Sequence, residues 1–167
     1  MRKVLIIDTS ILCVWLKVDK MENAGKNNEW NFDNVNEKIE KEIENKTTLV
    51  LPLATIIETG NHIAQSAKNR YENAQKLAEI IINASDGKTP WAVFTQQSPL
   101  WEVEELKKLA NEWKNLAVEK ISIGDATIKN LGEYYAKMNC NVEIFTGDEG
   151  LKSYEPVVKI PPIRRQR

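Results

Sequence analysis

Cysteine is scarce in this chain of 167 residues: Cys13 and Cys140 lie far apart, with no Cys-x-x-Cys spacing. Two buried thiols in a reducing cytoplasm are the reading preferred over a disulfide. Histidine is scarcer still, with His62 alone. No apolar run is long enough to span a bilayer, so no membrane partner is expected. The N-terminal apolar stretch is cut by Asp8 and no small-residue cleavage site follows, which argues against a signal peptide and for a cytoplasmic protein. The formal net charge is -1, so no global basic field advertises nucleic-acid binding. A clustered acidic site would hide part of a basic surface in that sum. Internal repeats and domain linkers are also missing. The length suits one domain, and 42% hydrophobic with 28% charged residues describes a soluble globular chain rather than a disordered one.

What is present is an alternation of strands and helices. Val4 to Ile7 form an unbroken apolar run, as in a central parallel strand covered on both faces. Ser10 is a candidate N-cap for a short helix over Ile11 to Leu16. Lys17 to Phe32 is polar and aperiodic and reads as a surface excursion, with Trp30 and Phe32 pinning its end. Val35, Ile39 and Ile43 give Asp33 to Lys46 one apolar helical stripe. Thr47 to Leu51 is a second strand. Pro52, tolerated in a first turn, leads into a helix over Leu53 to Ala67. Further helices are expected over Lys68 to Ala84, with Tyr71, Leu77, Ile80 and Ile81 inward, over Leu100 to Glu119, and over Asp125 to Met138. Thr89 to Gln97 is an edge strand or an extended loop; Val142 to Thr146 is a strand, and Val157 to Ile160 a last candidate. The expected fold is α/β: a single domain over 1–160 with a mainly parallel central sheet covered by helices on both faces, then a basic tail over 161–167.

Four carboxylates fall at strand ends or helix starts. Asp8 ends the first strand, Glu58 lies among apolar and small neighbours in Ala54-Thr-Ile-Ile-Glu58-Thr-Gly, Asp125 opens a helix, and Asp148 follows the Val142 strand. Each has an ordinary explanation: a turn residue for Asp8 and Asp148, and a first-turn acid worth about 1 kcal/mol for Asp125. Glu58 resists one, because a glutamate on an apolar helix needs a partner or a metal. As a group they make a stronger case. The carboxyl ends of parallel strands share one edge, where α/β sheets place their chemistry. Acids gathered there raise one another's pKa, and a divalent cation relieves the repulsion. Oxygen-only ligands favour Mg²⁺ or Mn²⁺, and the chemistry such ions support is phosphodiester hydrolysis.

Val4-Leu-Ile-Ile-Asp8-Thr9-Ser10, then Glu58, then Asp125-Ala126, then Thr146-Gly-Asp148 resemble, in order and over nearly the whole chain, the four acidic motifs of PIN-domain nucleases. That family includes VapC-like ribonuclease toxins. The resemblance implies a ribonuclease in which Asp8, Glu58, Asp125 and Asp148 bind one or two Mg²⁺ or Mn²⁺ ions. Ser10 and Thr146 would orient Asp8 and Asp148, and an antitoxin-like inhibitor protein would be a partner. The chain is longer than compact toxins of this type, with the extra length in Lys17 to Lys46 and Ser85 to Glu119.

Around this centre, Asn61 and His62 sit a helical turn beyond Glu58. Asn61 is a candidate to hold Glu58 or a phosphate, and His62 a tempting general base that a metal-activated water does not need. Gly60 in the same helix allows close approach of another helix or of substrate, or a slight kink. Basic residues for RNA are Lys17, Lys20, Lys26, Lys68, Arg70 and the tail Arg164, Arg165 and Arg167. Trp113 has core spacing. Trp91 and Trp101, beside proline turns, are the expected exposed aromatics, for base stacking or for a homodimer contact. Two other functions compete. An aspartyl phosphatase of the haloacid-dehalogenase type needs a second aspartate where Ser10 stands. An inactive PIN-like interaction scaffold would have no use for all four acids.

Overall fold

Val4, Leu5, Ile6 and Ile7 are all fully buried, and the reason is the layering around them. The computed structural model describes residues 1–158. The tail with Arg164, Arg165 and Arg167, and the end of the strand expected over Val157 to Ile160, lie outside the described residues; Val157 and Val158 themselves are not strand. Strand β1 (Lys3–Ile7) is the middle of a three-stranded sheet, among the described residues, in the order β2-β1-β3. Both β2 (Thr48–Val50) and β3 (Asn141–Phe145) run parallel to it, with Leu5 opposite Leu49 on one side and Glu143 on the other.

Side-chain alternation splits this sheet between two cores. Leu5, Ile7, Leu49 and Phe145 face a cluster completed by α1 (Thr9–Trp15), α2 (Phe32–Glu44), α3 (Leu53–Gln65) and α4 (Arg70–Ser85). Val4, Ile6, Val50 and Ile144 face a second cluster built on Ile128, Leu131 and Tyr135 of α6 (Ile123–Lys137). Burying each aliphatic side chain of β1 stabilises the fold by about 2 kcal/mol. Helix α5 (Val103–Val118) packs on α6, and a short α7 (Glu149–Lys152) follows β3. The chain is therefore α/β with an all-parallel sheet between helical layers. Among the described residues no helix is long and apolar enough to cross a membrane. Both cysteines are free.

Several details differ from the sequence reading. Asp8, extended in its backbone, occupies the N-cap of α1; Ser10 lies inside the helix and donates its hydroxyl to Asp8. Pro52 caps α3 rather than opening its first turn. Tyr71 is 79% exposed. α4 buries Asn73 and Leu77, and a residue two positions before Asn73 points about 200° away from it. Thr89 to Gln97 is extended only around Trp91, which bridges Leu49, and then turns into a 3₁₀ segment over Phe94–Trp101.

The excursion after α1 is more than surface. Ala24 and Trp30 exchange two backbone hydrogen bonds of 2.9 and 3.0 Å. They close a tight loop in which Gly25 (φ 80°), Asn27 and Asn28 take left-handed backbone angles. Trp30 meets the Phe145 ring edge-on at 4.8 Å. The loop is thereby fastened to the end of β3, the same sheet edge that carries Asp8.

Gly60 lies inside α3 with open space around it: an added Cβ would meet only Leu77 Cδ2, at 4.0 Å. No close approach explains it. Gly60→Ala is expected to stabilise the protein by about 1 kcal/mol, read as a rise in the urea midpoint with an unchanged slope.

Candidate metal centre

The acid at the end of β1 is the best-held group of the site. Asp8 is 5% exposed. Its Oδ2 accepts two hydroxyl protons, from Ser10 Oγ at 2.9 Å and from Thr146 Oγ1 at 2.7 Å. Each hydroxyl also accepts a backbone N–H, Ser10 from Gly147 and Thr146 from Asp148, both at 3.0 Å. Those N–H bonds occupy the oxygens' lone pairs and leave each hydroxyl proton for the carboxylate. The ends of β1 and β3 are tied together in this way. Among the described residues Asp8 Oδ1 takes no hydrogen bond.

Glu58 reaches the same edge from α3. Thr9, the residue after Asp8, donates its hydroxyl to Glu58 Oε2 at 2.8 Å. The other oxygen, Oε1, rests against Gly124: a Cβ built there would stand only 2.3 Å from it. Gly124 opens α6 beside Asp125, so a side chain here would expel Glu58. Asp125 sits in the first turn of α6, whose N-cap, Ser122, accepts the Asp125 N–H at 3.0 Å. Asp148 caps α7, with Oδ1 accepting from Gly150 N at 2.7 Å and Leu151 N at 3.2 Å.

The electrostatics link the four. Burial first, and then the charges of Asp8, Asp148 and Glu58, push Asp125 up to about 6; the Ser122 contact works weakly the other way. This is the mutual effect expected of gathered carboxylates. Other buried or half-buried acids are paired with cations. Glu42 and Glu143 share Lys3 and Lys38 in a network between α2 and the sheet, with Lys3 Nζ at 2.5 Å from Glu42 and 2.8 Å from Glu143. Burial works against both carboxylates, but their lysine bonds prevail and lower both. Among the described residues no lysine or arginine pairs with Asp8, Glu58, Asp125 or Asp148. As they stand, no three acidic, imidazole or thiol groups among the described residues form a closed ligand set. The four are neighbours joined through hydroxyls and a glycine.

The structure therefore brings the four acids to one edge and redistributes the supporting roles. Ser10 meets Asp8 as expected, whereas Thr146 bonds the Asp8 carboxylate and only the backbone of Asp148. Asn61 is exposed, and Glu58 takes Thr9 as its partner instead. His62 is exposed on the same helix. Lys17 lies past the far end of α1 from Asp8, its ammonium 4.1 Å over the Phe32 ring. Lys68 and Arg70 lie beyond the C-terminal end of α3, so these three cations do not ring the acids. Trp91 is 7% exposed, and the Trp101 indole nitrogen is buried without a partner. Sequence patterning assigns no role of their own to Thr9, Ser122 or Gly124, although each stands within three residues of a site acid. Comparison with profiles of protein families, with curated protein sequences and with solved structures gives no match.

The raised Asp125 pKa has a sign that can be tested. Its charged form is disfavoured in the fold, so the penalty is absent below about 3.8, grows between 3.8 and about 6, and is complete above that. Without added metal, Asp125→Asn is expected to melt higher than the parent at about pH 7.5, with the difference vanishing near pH 4. Solvent screening of this half-exposed group holds the gain to about 1 kcal/mol, or roughly 2–4 °C.

Proposed function

We propose that this protein is a metal-dependent endoribonuclease, hydrolysing RNA phosphodiester bonds at the centre formed by Asp8, Glu58, Asp125 and Asp148. The observation that carries the reading is the gathering of these four acids with none of them in an ion pair among the described residues. The donors fit Mg²⁺ or Mn²⁺: all are oxygens, and Asp8 Oδ1 takes no hydrogen bond among the described residues. The resemblance of the four motifs to PIN-domain nucleases points the same way. By that resemblance a small inhibitory protein, as in toxin–antitoxin pairs, belongs to the same proposal.

When bound, the ion would supply Lewis acidity toward a phosphoryl oxygen and a water of lowered pKa. The chain's own contribution is placement and charge. Asp8, Glu58, Asp125 and Asp148 would hold the ion. Ser10 and Thr146 keep Asp8 oriented, with both protons on Oδ2. Thr9 aims Glu58, and the missing side chain at Gly124 leaves it room. Asp125, pushed up to about 6 by burial and the neighbouring acids, would gain from a cation held there. No imidazole takes part.

A second reading, a PIN-like interaction scaffold, is favoured by one observation: Asp148 Oδ1 is already engaged in capping α7. An aspartyl phosphatase finds no support, because Ser10, in the place of its acid–base aspartate, donates to Asp8.

Purified protein incubated with varied RNAs and Mn²⁺ is expected to cut them. Chelator, Asp8→Asn or Asp148→Asn should abolish cleavage, and Ser10→Ala should slow it roughly 10–100-fold. At a hundredfold excess over Kd the ion adds about 2.7 kcal/mol, roughly 5–10 °C of melting temperature for a chain of this size. Gly124→Ala is expected to lose that shift while melting like the parent in chelator, because only the Glu58 carboxylate must move. Absence of both cleavage and a metal-dependent shift would favour the scaffold.

A further inference from the structure

Beside Asp148 a groove of about 260 Å³ runs along the outer edge of β3, lined among others by Glu29, Trp30, Phe145, Thr146, Gly147 and Asp148. Trp30 is half-buried and held from two directions. Its backbone is paired with Ala24, and its ring meets Phe145 edge-on. The loop it closes is seated against the site. A Cβ on Gly147 would stand 2.5 Å from Gly25 N and 2.8 Å from Ala24 Cβ, so only glycine at 147 lets the loop come this close. The groove thus holds a fixed aromatic side chain on one wall and shares Thr146 and Asp148 with the acidic centre. Four acids line it, Glu29, Glu143, Asp148 and Glu149, and their charge disfavours a phosphate in the groove, whereas an uncharged ring meets no such barrier. Lys152, at the other side of the groove, has its ammonium committed to Ile144 O and Glu155.

We propose that this groove is a nucleobase subsite, in which an unpaired base next to the scissile phosphate stacks on Trp30. The inference rests on the ribonuclease reading and narrows its substrate to RNA whose bases are unstacked near the cut. Duplex RNA keeps its bases paired within the helix and offers no free π-face to a side chain at the groove. Stacking on an indole tolerates any base, so the subsite selects single-strandedness rather than sequence.

The test uses the whole chain with Mn²⁺ and a labelled, unstructured oligoribonucleotide. Matched oligonucleotides carry an abasic site at each position in turn, and both anisotropy and cleavage are followed. Trp30→Leu, which keeps apolar contact with Phe145, is expected to weaken binding roughly tenfold and to raise KM more than it lowers kcat. Trp30→Phe should retain most of the affinity. One abasic position should cost wild-type protein the same factor and cost Trp30→Leu nothing further. Unchanged affinity in Trp30→Leu, or an abasic penalty of equal size in both proteins, overturns the subsite while leaving the nuclease standing. Wild-type protein that neither binds nor cuts any RNA overturns both.

Discussion

Two hydroxyl protons converge on one oxygen of Asp8, and much of the site depends on that arrangement. It joins the end of β1 to the end of β3 through Ser10 and Thr146, so the parallel register and the site are one construction. A buried carboxylate is costly unless hydrogen-bonded. Here the bonds come from neutral groups that add no opposing charge. Both bonds fall on one oxygen, Oδ2.

The contrast with the Lys3–Glu42–Lys38–Glu143 network makes the point electrostatically. Acids also lie elsewhere around the sheet. Glu42 of α2 and Glu143 in the middle of β3 bond Lys3 and Lys38, and despite burial their pKa values are lowered, with Thr47 helping at Glu42. At the carboxyl ends no lysine or arginine among the described residues pairs with the acids, and Asp125 is raised. Uncompensated negative charge at one end of an otherwise balanced sheet costs stability.

The segment between α1 and α2 shows how an irregular stretch comes to belong to a site. Its left-handed positions at Gly25, Asn27 and Asn28 let the chain double back within a few residues. Its Ala24–Trp30 pairing then lays an indole against Phe145, and the absence of a side chain at Gly147 admits the loop next to Asp148. None of these features has a period, so hydropathy patterning cannot register them.

What the sequence determined by itself is local and periodic. An apolar run of four residues ending on aspartate specified a strand buried on two faces with a carboxylate at its carboxyl end. Helical spacing placed Val35, Ile39, Leu77, Ile128 and Leu131 inside, and the order of strands and helices set a parallel sheet with Glu58, Asp125 and Asp148 within reach of Asp8. Only the tertiary structure decided the pairings. Thr146 bonds Asp8 across 138 positions of chain, Thr9 rather than Asn61 holds Glu58, and Trp30 rather than Trp91 borders the acids. Periodicity reports whether a side chain is buried, because burial follows the geometry of one element. Which groups then touch depends on the register between elements, and that is settled by the whole core together.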